Sequence, residues 1–189
     1  MKKRFTLVSF MFVVMSAGLS GRALAQTDTQ TDNHQISVVV PTVALLDLET
    51  AATKNFTASF TKPANDEAGE KIVAPAANTT IWLNYTSIQA GTTTKKVNVK
   101  ATPLVDGVDI HLVAATAVGG AGTTGTPTAG FNLLTTDQML ISDIGSAYTA
   151  SGPTSGHQLT YTFIADDANY ANLRSGSTTV TVTYTLADN

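Results

Sequence analysis

Residues 178–186 read TTVTVTYTL, with Val180, Val182, Tyr184 and Leu186 alternating with Thr181, Thr183 and Thr185. Successive side chains of an extended strand point to opposite faces, so the apolar set lies on one face and the threonines on the other. Such a strand has one buried face and one wet face, as antiparallel sheets commonly do. The strand ends three residues from the C-terminus of this sequence. A period of two recurs upstream. Ile81, Leu83 and Tyr85 alternate with Trp82 and Asn84; Val97, Val99 and Ala101 alternate with Lys96, Asn98 and Lys100. Val108, Ile110 and Leu112 form a further alternating set, as do Leu159, Tyr161 and Phe163. No long helical period appears after the first 25 residues. Several short strands separated by turn signals predict an all-β domain, and we expect an Ig-like antiparallel β-sandwich over residues 36–189.

The N-terminus reads as an export signal. Lys2, Lys3 and Arg4 precede a mostly apolar run over residues 5–19, and Ala23-Leu24-Ala25 supplies small residues at the positions a signal peptidase reads. Cleavage after Ala25 makes Gln26 the first mature residue. The apolar run is short for a bilayer span, which takes about 20 residues, so no membrane span is expected after cleavage. Four of the 11 basic residues lie in the signal and all 14 acids beyond it, so the remaining 164 residues carry a net charge of −7. That balance argues against nucleic acid, which demands basic patches, and against charge-driven adhesion to anionic lipid. The chain has no cysteine. This excludes disulfides, a thiol nucleophile, a thiolate metal site and lipoprotein attachment. The signal looks bacterial, so the expected location is the periplasm, the cell surface or outside the cell.

Residues 26–35 (QTDTQTDNHQ) are polar and aperiodic and are expected to form a disordered leader. Residues 36–40 are expected to be the first strand, interrupted by Pro41, which cannot donate to a ladder. Residues 43–48 continue extended. The charged stretch 62–71 reads as a surface loop. Asp106-Gly107 between alternating runs predicts a hairpin. Residues 118–130 (VGGAGTTGTPTAG) read as a flexible loop, since they lack the Lys of a P-loop.

No catalytic signature stands out, and no enzyme is expected. His34 falls in the leader, His111 in a strand and His157 in a predicted loop, with no metal-ligand spacing among them. Gly152-Pro153-Thr154-Ser155-Gly156 misses the nucleophile elbow by one position and reads as a turn. The acids cluster in loops and fit no calcium-loop spacing; Asp166 and Asp167 are the least poor candidates. No metal or cofactor is therefore expected. Trp82 is expected in the core, with Tyr148 and Tyr170 in loops, where they could plug the fold or stack on a ligand. Three N-x-S/T sequons begin at Asn55, Asn78 and Asn84, which a bacterial export route would usually leave bare.

The segments ISVVVPTVALLDLE (36–49) and STTVTVTYTL (177–186) resemble the terminal strands of bacterial pilin-like and surface-adhesion subunits. These include the spore-coat-U-like subunits of archaic chaperone–usher pili and WxL-type surface domains. The resemblance implies a structural or adhesive role with no active site to carry over. Those pilins usually carry a cysteine pair, absent here, and an alternating apolar donor segment at the N-terminus, whereas 26–35 is polar. Polymerisation through that leader is therefore not expected. The function expected is that of a secreted or surface-exposed structural or adhesive protein acting by surface complementarity and strand addition to an exposed edge. Ile36, Val38 and Val40 are the strand-pairing candidates, the plainer expectation being that they pair within their own sheet. The partners would be other surface or pilus-like proteins, or polysaccharide. The alternative is a secreted carbohydrate-binding module, which would need exposed aromatic residues.

Overall fold

A computed structural model describes residues 30–189; the expected signal segment 1–25 and residues 26–29 of the expected leader lie outside the described residues. The chain divides after Val38 into two units. Residues 31–38 of the first carry no regular secondary structure. The second, Val39–Asn189, carries all nine strands found among the described residues. In chain order these are β1 (Val43–Glu49), β2 (Asn78–Ile88), β3 (Lys95–Thr102), β4 (Asp109–Ala114), β5 (Ala121–Pro127), β6 (Phe131–Asn132), β7 (Gln138–Tyr148), β8 (His157–Ile164) and β9 (Thr181–Asp188). The only helices among the described residues are single 3-10 turns at Ala64–Asp66 and Tyr170–Asn172. None is long and apolar enough to cross a membrane.

All pairings are antiparallel, in the order β6-β4-β8-β2-β7-β3-β9, with β1 on β2 and β5 on β7. The architecture turns on β2. Its first half lies against β8, with Leu83 opposite His157, while Thr86 and Ser87 lie opposite Tyr148 and Ala147 of β7. A strand that changes partner part-way bends the sheet over on itself, and a register shift between Asn78 and Ile81 adds to the bend. The result is sandwich-like: the apolar sets of both halves meet in one core. Ile81, Leu83 and Tyr85 of β2, Leu112 of β4 and Leu159 of β8 pack with Val97 and Val99 of β3 and Leu140, Ile141 and Ile144 of β7. The alternation read from the sequence places these faces correctly.

Three expectations fail, each for a physical reason. Residues 36–40 form no strand; the first strand begins only at Val43, beyond Pro41. Asp106-Gly107 does turn the chain, with the Val108 N–H donating to the Val105 carbonyl. The strands it joins do not pair, however: β3 goes to β7 and β9, and β4 to β8 and β6. The turn is an arch between the two halves, because burial of both apolar faces outweighs a local hairpin. Residues 118–130 contain β5, paired with β7. Its glycines are what permit that pairing. Gly122 has φ +88°, and a Cβ there would stand 2.2 Å from the Ser146 carbonyl oxygen; at Gly125 the approach to the Ser142 carbonyl would be 2.4 Å. Only a residue without a side chain lets the two backbones come so close in that conformation.

Replacing Gly122 by alanine is expected to lower unfolding free energy by about 1–3 kcal/mol, since it adds both a left-handed side chain and a backbone collision. Chemical denaturation of the variant against the parent measures it, and an unchanged midpoint would mean that β5 is not held as described.

Candidate functional site

Two of the sheet's edge strands, β1 and β9, approach each other. Among the described residues β1 pairs only with β2, and β9 only with β3, and the two come near one another without pairing. Alternation decides what faces the gap. On β1, Leu46 and Leu48 turn towards the core while Leu45 points away and is 65% exposed. On β9, Val182, Tyr184 and Leu186 turn inward. These five residues are only partly buried, in contrast to the fully covered side chains of β3 opposite them. At one end the gap opens into a cleft of about 650 Å³ bordered by Val43, Ile88, Lys95 and Asp188. Lys95 and Asp188 are ion-paired there, and the Asn189 N–H donates to the Thr94 carbonyl at 3.1 Å, fixing the end of β9. Further along, Phe56 packs on Tyr161 and Phe163, with ring centroids 5.5 and 6.2 Å apart. The Tyr161 hydroxyl lies 2.5 Å from that of Tyr184. Burial pushes the Tyr161 phenol up to about 12 and holds Tyr184 well above its ordinary value, so both hydroxyls stay protonated and serve as packing groups.

The strand-pairing candidates sit on an apolar segment open to solvent. Ile36, Val38 and Val40 are 74%, 80% and 69% exposed. The half-covered flank of β1 and β9 was not legible in advance. Alternation marks which side chains face inward, but not that a neighbouring strand will be missing beside them.

The other candidates disperse. Among the described residues no three His, Asp or Glu side chains gather where a metal could bind. Asp167 pairs with Lys71, and the Asp166 carboxylate accepts the Asn169 N–H. Tyr170 lies under the Lys71 ammonium, 5.5 Å from the ring centre, and its hydroxyl accepts the Ile72 N–H at 3.3 Å. Asp47 is held below its usual value by the hydrogen bond from Lys54, 2.7 Å away. Trp82 is not in the core. It lies on the face opposite Ile81 and Leu83 and is partly exposed, because its place in the alternation fixes its side of the sheet whatever its size.

His157 is not in a loop but opens β8, fully buried. Its Nδ1–H donates to the Ala115 carbonyl at 2.8 Å, and Nε2 lies 2.8 Å from the Tyr85 hydroxyl, which also reaches the Thr124 carbonyl. The segment after β4 and strand β5 are thus tied to β2 by the His157 imidazole and the Tyr85 phenol together. Burial lowers the pKa of His157, partly offset by the carbonyls of Ala115 and Thr124.

No family model matches the chain, and no curated protein and no solved structure matches it either.

His157 takes up its proton less readily folded than unfolded. Its contribution is therefore complete above the unfolded value near 6.5 and is lost as pH falls below that, towards the lower folded value. Urea unfolding of the parent is expected to show stability falling between pH 7 and pH 5, by up to about 1.4 kcal/mol per pH unit. The His157→Gln variant is expected to be less stable at pH 7 and flatter over that interval. Equal slopes in the two proteins would show that this histidine is not the group being titrated.

Proposed function

We propose that this chain is an exported structural or adhesive surface protein, a pilin-like β-sandwich of Ig-like organisation, that works without catalysis by adding a strand to an open sheet edge. The observation that carries the reading is the pairing of two complementary deficits. Residues 36–40 offer Ile36, Val38 and Val40 at alternate positions, all exposed. The flank between β1 and β9 offers an unpaired edge and five partly covered apolar side chains. An extended segment laid along β9 satisfies both, through main-chain hydrogen bonds and through burial of its alternate residues. Burying each such side chain contributes about 1.5–3 kcal/mol.

The donor belongs to another molecule. To fill its own flank the segment would have to reverse onto β1 through Pro41 and Thr42. Two-residue hairpin loops need φ > 0 at their first central position, and proline is locked near −65°. Export fits the same reading: the signal at residues 1–25 and the absence of cysteine suit a domain held by its core in the bacterial envelope or outside the cell. The resemblance of both terminal segments to pilin-like subunits points the same way.

The test is deletion of residues through Val40. The parent is expected to self-associate with rising concentration in sedimentation velocity, and the deletion to remain folded and monomeric. A synthetic peptide spanning 33–42 is expected to raise the melting temperature of the deletion variant, and the same peptide with Asp at 36, 38 and 40 is not. Unchanged stability together with unchanged association would remove any role for this segment.

A further inference from the structure

The opposite face of β1 and β2 carries a different arrangement. Cross-strand register sets Leu45 beside Thr86 and Thr86 beside Tyr148, at one end of the face. At the other end Glu49 lies beside Trp82, and Trp82 beside Gln158. Trp82 and Thr86 are four residues apart on one strand, so the two aromatic positions stand about 13 Å apart along it. Tyr148 is 53% exposed and the indole of Trp82 is partly so. Asn84, midway between Trp82 and Thr86 on β2, and Thr86 border a hollow of about 250 Å³, with Asp47 and Glu49 on one wall and Ala150 and Ser151 on the other; the two aromatic side chains stand on the same face outside its lining.

The second wall is built at a cost. Ala150 and Thr154 hold left-handed backbone, φ +63° and +77°, which is unfavourable for a residue with a Cβ and most so for a β-branched one. Buried polar groups keep the loop in that shape. The Asn84 side chain, only 6% exposed, donates to the Gly152 carbonyl at 3.0 Å. The fully buried Thr149 hydroxyl accepts the Tyr85 N–H at 2.9 Å. Gly156 admits Asn84, since a Cβ there would come within 2.1 Å of its Oδ1. A strained surface loop fixed from beneath by buried hydrogen bonds has a defined shape before any ligand arrives.

We infer that this face binds a neutral polysaccharide chain. Two aromatic groups on one face, with a hollow beside them that carries Glu49 and Ser151, suit a ligand of ring-shaped units whose two faces are apolar and whose rims carry hydroxyls. Trp82 and Tyr148 stack on two rings. The carboxylate of Glu49, which has no ion pair among the described residues, accepts ring hydroxyls, as does the Ser151 hydroxyl. The spacing exceeds one sugar ring, so the ligand is a chain and not a monosaccharide. The Glu49 carboxylate rejects an acidic polymer by charge, Asp47 being paired with Lys54. The site uses the outward side chains of β1, whereas strand addition uses the inward ones, so each stands without the other.

Trp82 is the single tryptophan of the chain, so intrinsic fluorescence reports on this face directly. The probes are soluble neutral glucans, xylan and mannan, with polygalacturonate as the acidic control, followed by tryptophan emission and by retardation in affinity gels. At least one neutral polymer is expected to shift the emission and retard the full chain, while polygalacturonate does neither. Tyr148→Ala, at an exposed position, is expected to weaken that retardation at least tenfold with unchanged circular dichroism, and Trp82→Ala to do the same. Both variants keep residues 36–40, so their self-association is expected to match the parent. Failure of every neutral polymer to bind would overturn the inference, and so would retardation left unchanged by both substitutions.

Discussion

The partner change along β2 is the constraint from which the rest of the molecule follows. One strand gives hydrogen bonds to β8 over its first half and to β7 near its end, so it belongs to both halves of the fold. Because it also carries β1 on its other side, it fixes the free edge of one half relative to the other. The inward residues Ile81, Leu83 and Tyr85 sit at the junction and are among the best covered in the chain. The Tyr85 hydroxyl extends that junction into the polar network with His157 and the Thr124 carbonyl, which pins β5 and the start of β8 to the same point. A chain without disulfides has its rigidity concentrated here, in interior hydrogen bonds strengthened by the low dielectric around them.

The two proposed surfaces share β1 and use its two sides. Leu46 and Leu48 look into the gap beside β9; Leu45, Asp47 and Glu49 look outward. A strand of seven residues can serve both because its side chains alternate. It can also be left with a bare edge, because β2 alone holds it along its full length, from Val43 opposite Ile88 to Glu49 opposite Trp82.

Much of this was legible in the residues. Alternation in β2, β3, β4, β8 and β9 gave the all-β class and the correct buried faces, since a period of two follows from strand geometry alone. Where legibility ended, the reason was non-local. The glycines of β5 hid a strand, because their spacing reflects contact with a backbone some twenty residues later. Asp106-Gly107 announced a turn correctly but not which strands it joins, since turn chemistry is local and pairing is settled by burial. His157 looked like a loop residue because its partners, Tyr85 and the Ala115 carbonyl, are far away in sequence. Trp82 was assigned to the interior by its size, although its parity with Asn84 already placed it outside. At the candidate site the inward residues of β9 could be named from the sequence, but not their incomplete cover, which depends on a neighbour that the described residues do not supply in that position.

The pairing of β3 with β9 carries a consequence for how the molecule is made. Lys95 lies opposite Asp188, so the outer neighbour of β3 comes from a stretch about 90 residues further along the chain. Until that stretch is in place, β3 is paired on one side only, and Val97, Val99 and Ala101 lack the neighbours that lie opposite them. Most other pairings also join distant stretches, a topology that folds slowly. A chain paired at such distances stays open until both members of each pair are present, the state in which it can be threaded through a narrow pore.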